Sequence, residues 1–239
     1  MDAAGVDRVV VYPPTWEGPR NDYALEAAAA HPGRIAVMGR ADPADPDVVR
    51  ALPRWRDQPG MLGLRLSVNR GDRAAQLRSA ADSGFFAAAE EHQIPLSLYM
   101  PGSYNALGEL AGRFQRLRIM VDHLGLDSPD VPLAKAVEPL LPLAAHPNIA
   151  VRASALTCFV SEPFPFPSMT AAVGIVVDAF GADRVFWGSD LSRLPCSYAE
   201  LVDTFIDHLP ALSDASLAQI MGAALADWVR WPVPDGSPP

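Results

Sequence analysis

Short apolar runs of strand length alternate along this chain with longer segments in which apolar residues recur every three or four positions. That alternation predicts βα units around a parallel sheet. Seven runs read as strands, at 6–12, 35–41, 61–68, 94–100, 118–124, 149–155 and 184–188. Between them the pattern predicts helices at 22–31, 47–55, 74–92, 106–114, 133–145, 169–180 and 198–208, with a last one at 215–229. Asn21 and the pair Ser213-Asp214 supply helix starts, and His31-Pro32-Gly33 and Gly181 supply stops.

Within a strand, alternate residues fall on opposite faces. In the third run, Leu62, Leu64, Leu66 and Val68 share one face, and Gly63, Arg65, Ser67 and Asn69 the other. The fourth sets Leu96, Leu98 and Met100 against Pro95, Ser97 and Tyr99, and the sixth sets Val151, Ala153 and Ala155 against Arg152 and Ser154. Two more runs end in ionisable residues, Ile119-Met-Val-Asp-His123 and Val185-Phe-Trp-Gly-Ser-Asp190. The carboxyl ends of parallel strands are where ligands gather in α/β proteins. A lone inward Arg serves as readily in a structural ion pair, and a lone His in a satisfied core. Arg65, Tyr99, His123, Arg152 and Asp190 on five different strands instead predict a site for an oxygen-rich anion. Asp122 is expected to point away from that site, as a capping or supporting carboxylate.

Composition narrows the reading. The chain has 239 residues, 49% hydrophobic and 20% charged, enough for one core. A single domain is expected over 1–231, with a flexible tail at 232–239. A formal charge of -9 and the lack of a basic cluster argue against nucleic acid or an anionic membrane as partner. Cys158 and Cys196 lie outside any zinc or redox spacing, and no apolar run approaches membrane-spanning length. No signal-peptide pattern opens the sequence, so a cytoplasmic location is expected. The 24 prolines and 17 glycines sit mostly between the elements. The stretch Glu162-Pro-Phe-Pro-Phe-Pro167 follows the sixth strand as a lid or a rigid connector.

Taken in order, Met1-Asp-Ala-Ala-Gly-Val-Asp-Arg-Val-Val-Val11, Ala29-Ala-His-Pro-Gly-Arg-Ile-Ala-Val-Met-Gly39, Met61-Leu-Gly-Leu-Arg-Leu66, Val121-Asp-His-Leu-Gly125 and Phe186-Trp-Gly-Ser-Asp190 resemble the amidohydrolase-related TIM-barrel hydrolases over nearly the whole chain. The resemblance implies a (β/α)8 barrel lacking its first strand, because the family's opening His-x-His strand would precede Met1. Tyr99 stands where metal-binding members carry a histidine, and Gly222-Ala-Ala224 replaces the usual Gly-Asn-Ala. In site pattern the chain resembles the metal-independent lactonases that act on dicarboxylate lactones such as pyrone dicarboxylate. That likeness implies Asp190 as the water-activating residue and His123 and Tyr99 as polarisers of the lactone carbonyl. Arg65 would clamp a carboxylate, Arg193 would supply a second contact, and Asn69, Arg152 and Ser154 would line the substrate pocket. No cofactor is expected of the chain as it stands. Zinc enters only with a His-x-His strand, in which case a zinc-dependent decarboxylase or hydrolase is the alternative, and an inactive anion-binding relative is another.

The missing strand has three accounts: a translation start placed too late, a seven-stranded relative, or a partner that fills the gap. The first is favoured because Met1 falls inside a helix pattern. Unpaired edges on the flanking strands also make a homodimer an expectation.

Overall fold

The computed structural model describes residues 1–68, 72–209 and 212–232. Seven strands, β1 (Val9–Val11), β2 (Ile35–Gly39), β3 (Met61–Ser67), β4 (Leu96–Tyr99), β5 (Ile119–Val121), β6 (Ile149–Ala153) and β7 (Val185–Trp187), form one sheet in sequence order. Every neighbouring pair is parallel. Each strand lies inside its predicted run, and the α/β order of a TIM-like barrel short of one strand is what the structure shows. Among the described residues β1 and β7 do not pair, so the sheet is an open, curled one.

The helices are α1 (Asp22–Ala30), α2 (Pro46–Ala51), α3 (Arg73–Asp82), α4 (Phe85–Glu91), α5 (Tyr104–Arg113), α6 (Leu133–Ala136), α7 (Pro167–Phe180), α8 (Tyr198–His208), α9 (Asp214–Ala218) and α10 (Ala224–Val229). Several predicted helices are broken, each for a local reason. The run at 74–92 is divided into α3 and α4 by Ser83 and by Gly84, whose φ of 83° is left-handed. The runs at 47–55 and 133–145 tighten into 3-10 turns at Leu52–Asp57 and Glu138–Ala145, where Pro53, Pro139 and Pro142 remove amide donors. A π-helical turn, Gln219–Ala223, interrupts the last one. Ser213 caps α9 as expected, its Oγ accepting from Ser216 N at 3.2 Å. Asn21 does not cap α1. Its side-chain amide donates to Arg40 O at 2.9 Å and accepts from Arg40 N at 2.7 Å, pinning the exit of β2.

The two faces of the sheet carry separate cores. Outward residues, among them Val37, Leu64, Leu66, Leu96, Leu98, Ile119, Val121, Ile149, Val151 and Val185, pack under the helices. Inward residues Ala36, Met38, Leu62, Met120, Ala150 and Phe186 fill the amino-terminal half of the lumen. Alternation groups Leu62 with Leu64, which packs outward. The pairing of β2 with β3 skips it, Val37 opposing Met61 and Met38 opposing Gly63, and this bulge turns Leu62 inward.

That end of the lumen is closed by α10. Leu225, Trp228, Val229 and the following Trp231 pack against the inward residues, with the Trp228 ring 5.8 Å from that of Phe186. The carbonyls that a helix end leaves without partners go to arginines at the start of β5 and in the turn Leu52–Asp57. Arg118 Nη1 donates to Asp227 O at 2.7 Å and Trp228 O at 2.8 Å, and Arg56 Nη2 to Val229 O and Arg230 O at 3.1 Å each. Arg8 reaches Pro232 O at 2.8 Å. The tail expected to be flexible lies, beyond Pro232, outside the described residues. On the outer layer the turn Asp2–Ala4 packs on α8, so the helical ring continues past the gap between β1 and β7.

Gly63 has no room for a side chain, since a Cβ would lie 2.3 Å from the carbonyl of Pro95, just before β4. Gly63→Ala should therefore destabilise the protein by about 1–3 kcal/mol in urea denaturation, the cost of overpacking a rigid core; a neutral result would mean that β3 and β4 part freely.

Candidate active site

The carboxyl half of the lumen is built on Asp122, which is fully buried. Its Oδ2 accepts from Arg65 Nε at 2.8 Å, and its Oδ1 from Arg152 Nη2 at 3.0 Å and from Ser97 Oγ at 2.5 Å. The Tyr12 ring covers these cations, 4.1 Å from Arg152 Cζ and 5.3 Å from Arg65 Cζ. Burial alone would raise the Asp122 carboxyl, but Arg152 and Arg65 outweigh it and hold the group down at about 2. Arg152 Nε is buried without a hydrogen-bond partner among the described residues.

The expectation that Asp122 points away from the site is therefore wrong, and the backbone gives the reason. Alternation carries Met120 and Asp122 inward, so His123 would face outward were the strand to continue. It stops at Val121, and His123 (φ 54°, ψ 33°) and Leu124 (φ 54°, ψ 22°) adopt left-handed conformations that swing the imidazole back over the lumen. Asp190 is brought in the same way, at φ 49° and ψ 52° after β7. Gly188 makes room between them, because a Cβ there would come within 3.1 Å of Ser154 Cβ and 3.3 Å of Arg152 Cδ.

Above the floor, His123 Nδ1 lies 2.8 Å from Ser154 Oγ, and Nε2 lies 4.0 Å from Asp190 Oδ2. The Tyr99 ring meets the imidazole edge-on with centroids 5.1 Å apart. Burial pushes His123 down to about 4, so the ring is neutral at physiological pH. Burial, with the nearby Asp127 carboxylate, pushes the Tyr99 hydroxyl up to about 12. Asp190 is about a quarter exposed and opens toward solvent. Arg193 stands exposed on the turn Leu191–Arg193, its charge felt by Tyr99, while its carbonyl accepts from Cys158 Sγ at 2.9 Å. Asn69 lies outside the described residues.

The structure thus brings together Arg65, Tyr99, His123, Arg152, Ser154 and Asp190. Tyr12 and Arg40 were not singled out from the sequence, Ser97 was placed on the polar face without a role, and Asp122 was expected to point away. Tyr12, Ser97 and Asp122 lie on the inward register of β1, β4 and β5, which alternation along and just past the strands finds. Arg40, two residues after the inward Met38, stands beside Ser67 with Nη1 3.5 Å from its Oγ. The segment at 161–169 is a pinned connector at its end: Glu162 accepts from Ser168 N at 2.5 Å and from Ser168 Oγ at 2.7 Å. An open depression of about 570 Å³, lined by Tyr104, Asp127 and Lys135 among others, adjoins this cluster through Asp127, whose carboxylate neighbours the Tyr99 hydroxyl.

Residues 1–236 match the sequence profile of the Amidohydrolase family. The chain belongs to that family. It is 30% identical over 211 residues to L-fucono-1,5-lactonase of Burkholderia ambifaria, covering 80% of this chain and 67% of that protein. It is 24% identical over 228 residues to 4-sulfomuconolactone hydrolase of Hydrogenophaga intermedia, covering 88% of this chain and 71% of that protein. Its fold is similar to that of an amidohydrolase from Burkholderia multivorans crystallised with bound zinc, with a TM-score of 0.82 and 21% identity over 97% of this chain and 86% of that one. Family membership makes this chain an amidohydrolase-type hydrolase, and no helix among the described residues is long and apolar enough to cross a membrane.

A catalytic zinc is generally held by three protein ligands with a fourth position open. The described residues contain no cluster of three or more His, Cys, Asp and Glu side chains suited to a metal. His123 and Asp190 alone face one another at ligand-like separation, so this donor set does not fit such an ion.

Replacing Asp122 with Asn keeps the shape and removes the charge, leaving two guanidinium groups uncompensated. Asp122→Asn should cost about 3–5 kcal/mol of stability in chemical denaturation, the range for breaking one side of a buried ion pair. His123 yields a second expectation. Its pKa is about 4 in the fold against 6.5 for the ordinary group, so between those values the unfolded chain binds more protons and stability falls as pH drops. The melting temperature should decline from pH 6.5 to 4, and His123→Gln should flatten that decline; an unchanged slope would show that other groups cause it.

Proposed function

We propose that the protein hydrolyses a small lactone bearing a carboxylate, with Asp190 activating the water. The observation that carries this reading is the opposition of Asp190 and a neutral His123, 4.0 Å apart, over a floor in which Asp122 meets two arginines. The lactonase names of two relatives support the substrate class, and the sulfonate-bearing ring in the name of one supports an anionic ring.

The chemistry follows from the proton positions. It requires the Nε2–H tautomer of His123, in which Ser154 Oγ donates to Nδ1 and the neutral ring offers its proton to the lumen; the Ser154 carbonyl, 3.3 Å from Nδ1, accepts only from the other tautomer. A lactone carbonyl seated there is polarised by this donor, while Asp190 takes a proton from the attacking water. The tetrahedral oxyanion is held by the same imidazole N–H and by the cationic floor, in a site largely closed to solvent. The ring C–O bond then breaks, and the protonated Asp190 returns its proton to the departing oxygen. The Tyr99 hydroxyl is near Asp127, which competes for its one proton, so the polarising role falls first on His123. Arg65 and Arg152, engaged with Asp122, shape the positive potential of the pocket more than they clamp the substrate directly.

Asp190→Asn keeps the side chain's size and removes the base. It should lower kcat on 2-pyrone-4,6-dicarboxylate, or on whichever carboxylated lactone the protein turns over, by about 10²–10⁴-fold with little change in KM. Unaltered turnover by this variant would overturn the assignment of Asp190.

A further inference from the structure

Three guanidinium groups surround the buried carboxylate of Asp122, and only two are bonded to it. Arg40 is the third. It leaves the end of β2 on the same inward register as Met38, beside Ser67 at the end of β3. Asn21 fixes its backbone through both amide groups, and the preceding Gly39 is packed so closely that a Cβ there would lie 2.7 Å from Met61 Cε. The guanidinium is half-buried and forms no ion pair among the described residues. Burial and the neighbouring Arg65 work against its charge, and the Asp122 carboxylate only partly offsets them. Arginine does not shed its proton in proteins, so the cost of holding this cation stands until an anion meets it. The opposite reading, a solvent-facing arginine that merely covers the rim, does not explain why a second cation on the adjacent strand faces the same lumen.

Resting on the lactonase reading, we propose that Arg40, with the Ser67 hydroxyl beside it, seats an anionic substituent of the substrate, so that the enzyme prefers lactones carrying a carboxylate or sulfonate to neutral sugar lactones. The lactone ring then lies between this seat and Asp190, with the floor of Asp122, Arg65 and Arg152 beneath it. A planar fork suits a carboxylate or sulfonate better than a point charge does. Arg40 is in this account a specificity-determining residue and takes no part in bond breaking.

The test compares kcat/KM for 2-pyrone-4,6-dicarboxylate with kcat/KM for L-fucono-1,5-lactone in the wild type, Arg40→Gln and Arg40→Lys. The ratio of the two should fall about 10- to 100-fold in Arg40→Gln, chiefly through KM for the dicarboxylate, as expected for one charge-assisted contact. Arg40→Lys should lie between. An unchanged ratio, or equal losses on both lactones, would overturn the proposal. A second arm needs no turnover: citrate should raise the melting temperature of the wild type and raise that of Arg40→Gln less. Equal rises, or no rise in the wild type, would likewise overturn it. Should the wild type hydrolyse neither lactone while citrate discriminates the variants, the lactonase reading fails and the anion seat stands.

Discussion

A carboxylate at the centre of a protein must be matched by cations, and the site depends on how Asp122 is matched. Its complete burial would make ionisation prohibitive without Arg65 and Arg152, and their own burial would be as costly without it. The three side chains come from three strands, β3, β5 and β6, so the ion pairs also fix the curl of the sheet at its carboxyl end. Such clusters contribute less to net stability than to uniqueness. An apolar trio of the same volume would pack as well, but would leave no positive potential above it.

That potential is what turns a barrel end into a site in an otherwise acidic protein. The formal charge of the chain is -9, yet the described lumen around Asp122 holds Arg40, Arg65 and Arg152. For the proposed anionic substrate the surface is repulsive on average and the cationic floor attractive, since low dielectric strengthens each charge there. The same desolvation keeps His123 neutral, so that it adds no competing cation. One constraint, the burial of Asp122 and His123, thus sets the charge of the floor and of the imidazole together.

Much of this was legible in the sequence. Seven strands, their order, their parallel pairing and the edge that carries chemistry follow from apolar runs and alternation, because a period of two is enforced wherever one face is buried. What escaped lay where the backbone stops obeying that period. Leu62 changes face at a bulge created by a register shift between two strands, which no local pattern records. His123 and Asp190 enter the lumen through left-handed backbone that only the surrounding packing can impose on non-glycine residues. The role of Asp122 was misjudged for the same reason: alternation was applied from His123 backward, when His123 is itself the exception. Asn21 was read as a cap from its position before a helix, whereas its amide serves the end of β2, a contact between segments 19 residues apart.

The open side of the sheet gives the last physical link. A closed eight-stranded barrel shares its strain around a ring, while among the described residues β1 and β7 do not pair and other contacts hold the two ends of the lumen. At the amino-terminal end α10 inserts Trp228 and Val229 like a stopper, Arg118 and Arg56 tie down the carbonyls at its end from the start of β5 and from the turn Leu52–Asp57, and Arg8, just before β1, holds the Pro232 carbonyl that follows. At the carboxyl end the Asp122 cluster does the corresponding work with charge. The two devices are complementary. Apolar filling below leaves no chemistry and needs none, and ionic bracing above, where filling would block a substrate, keeps the strands in register while leaving the space over them open. A site of this kind persists in an open sheet because the groups that hold the strands together are the same ones that give the cavity its charge.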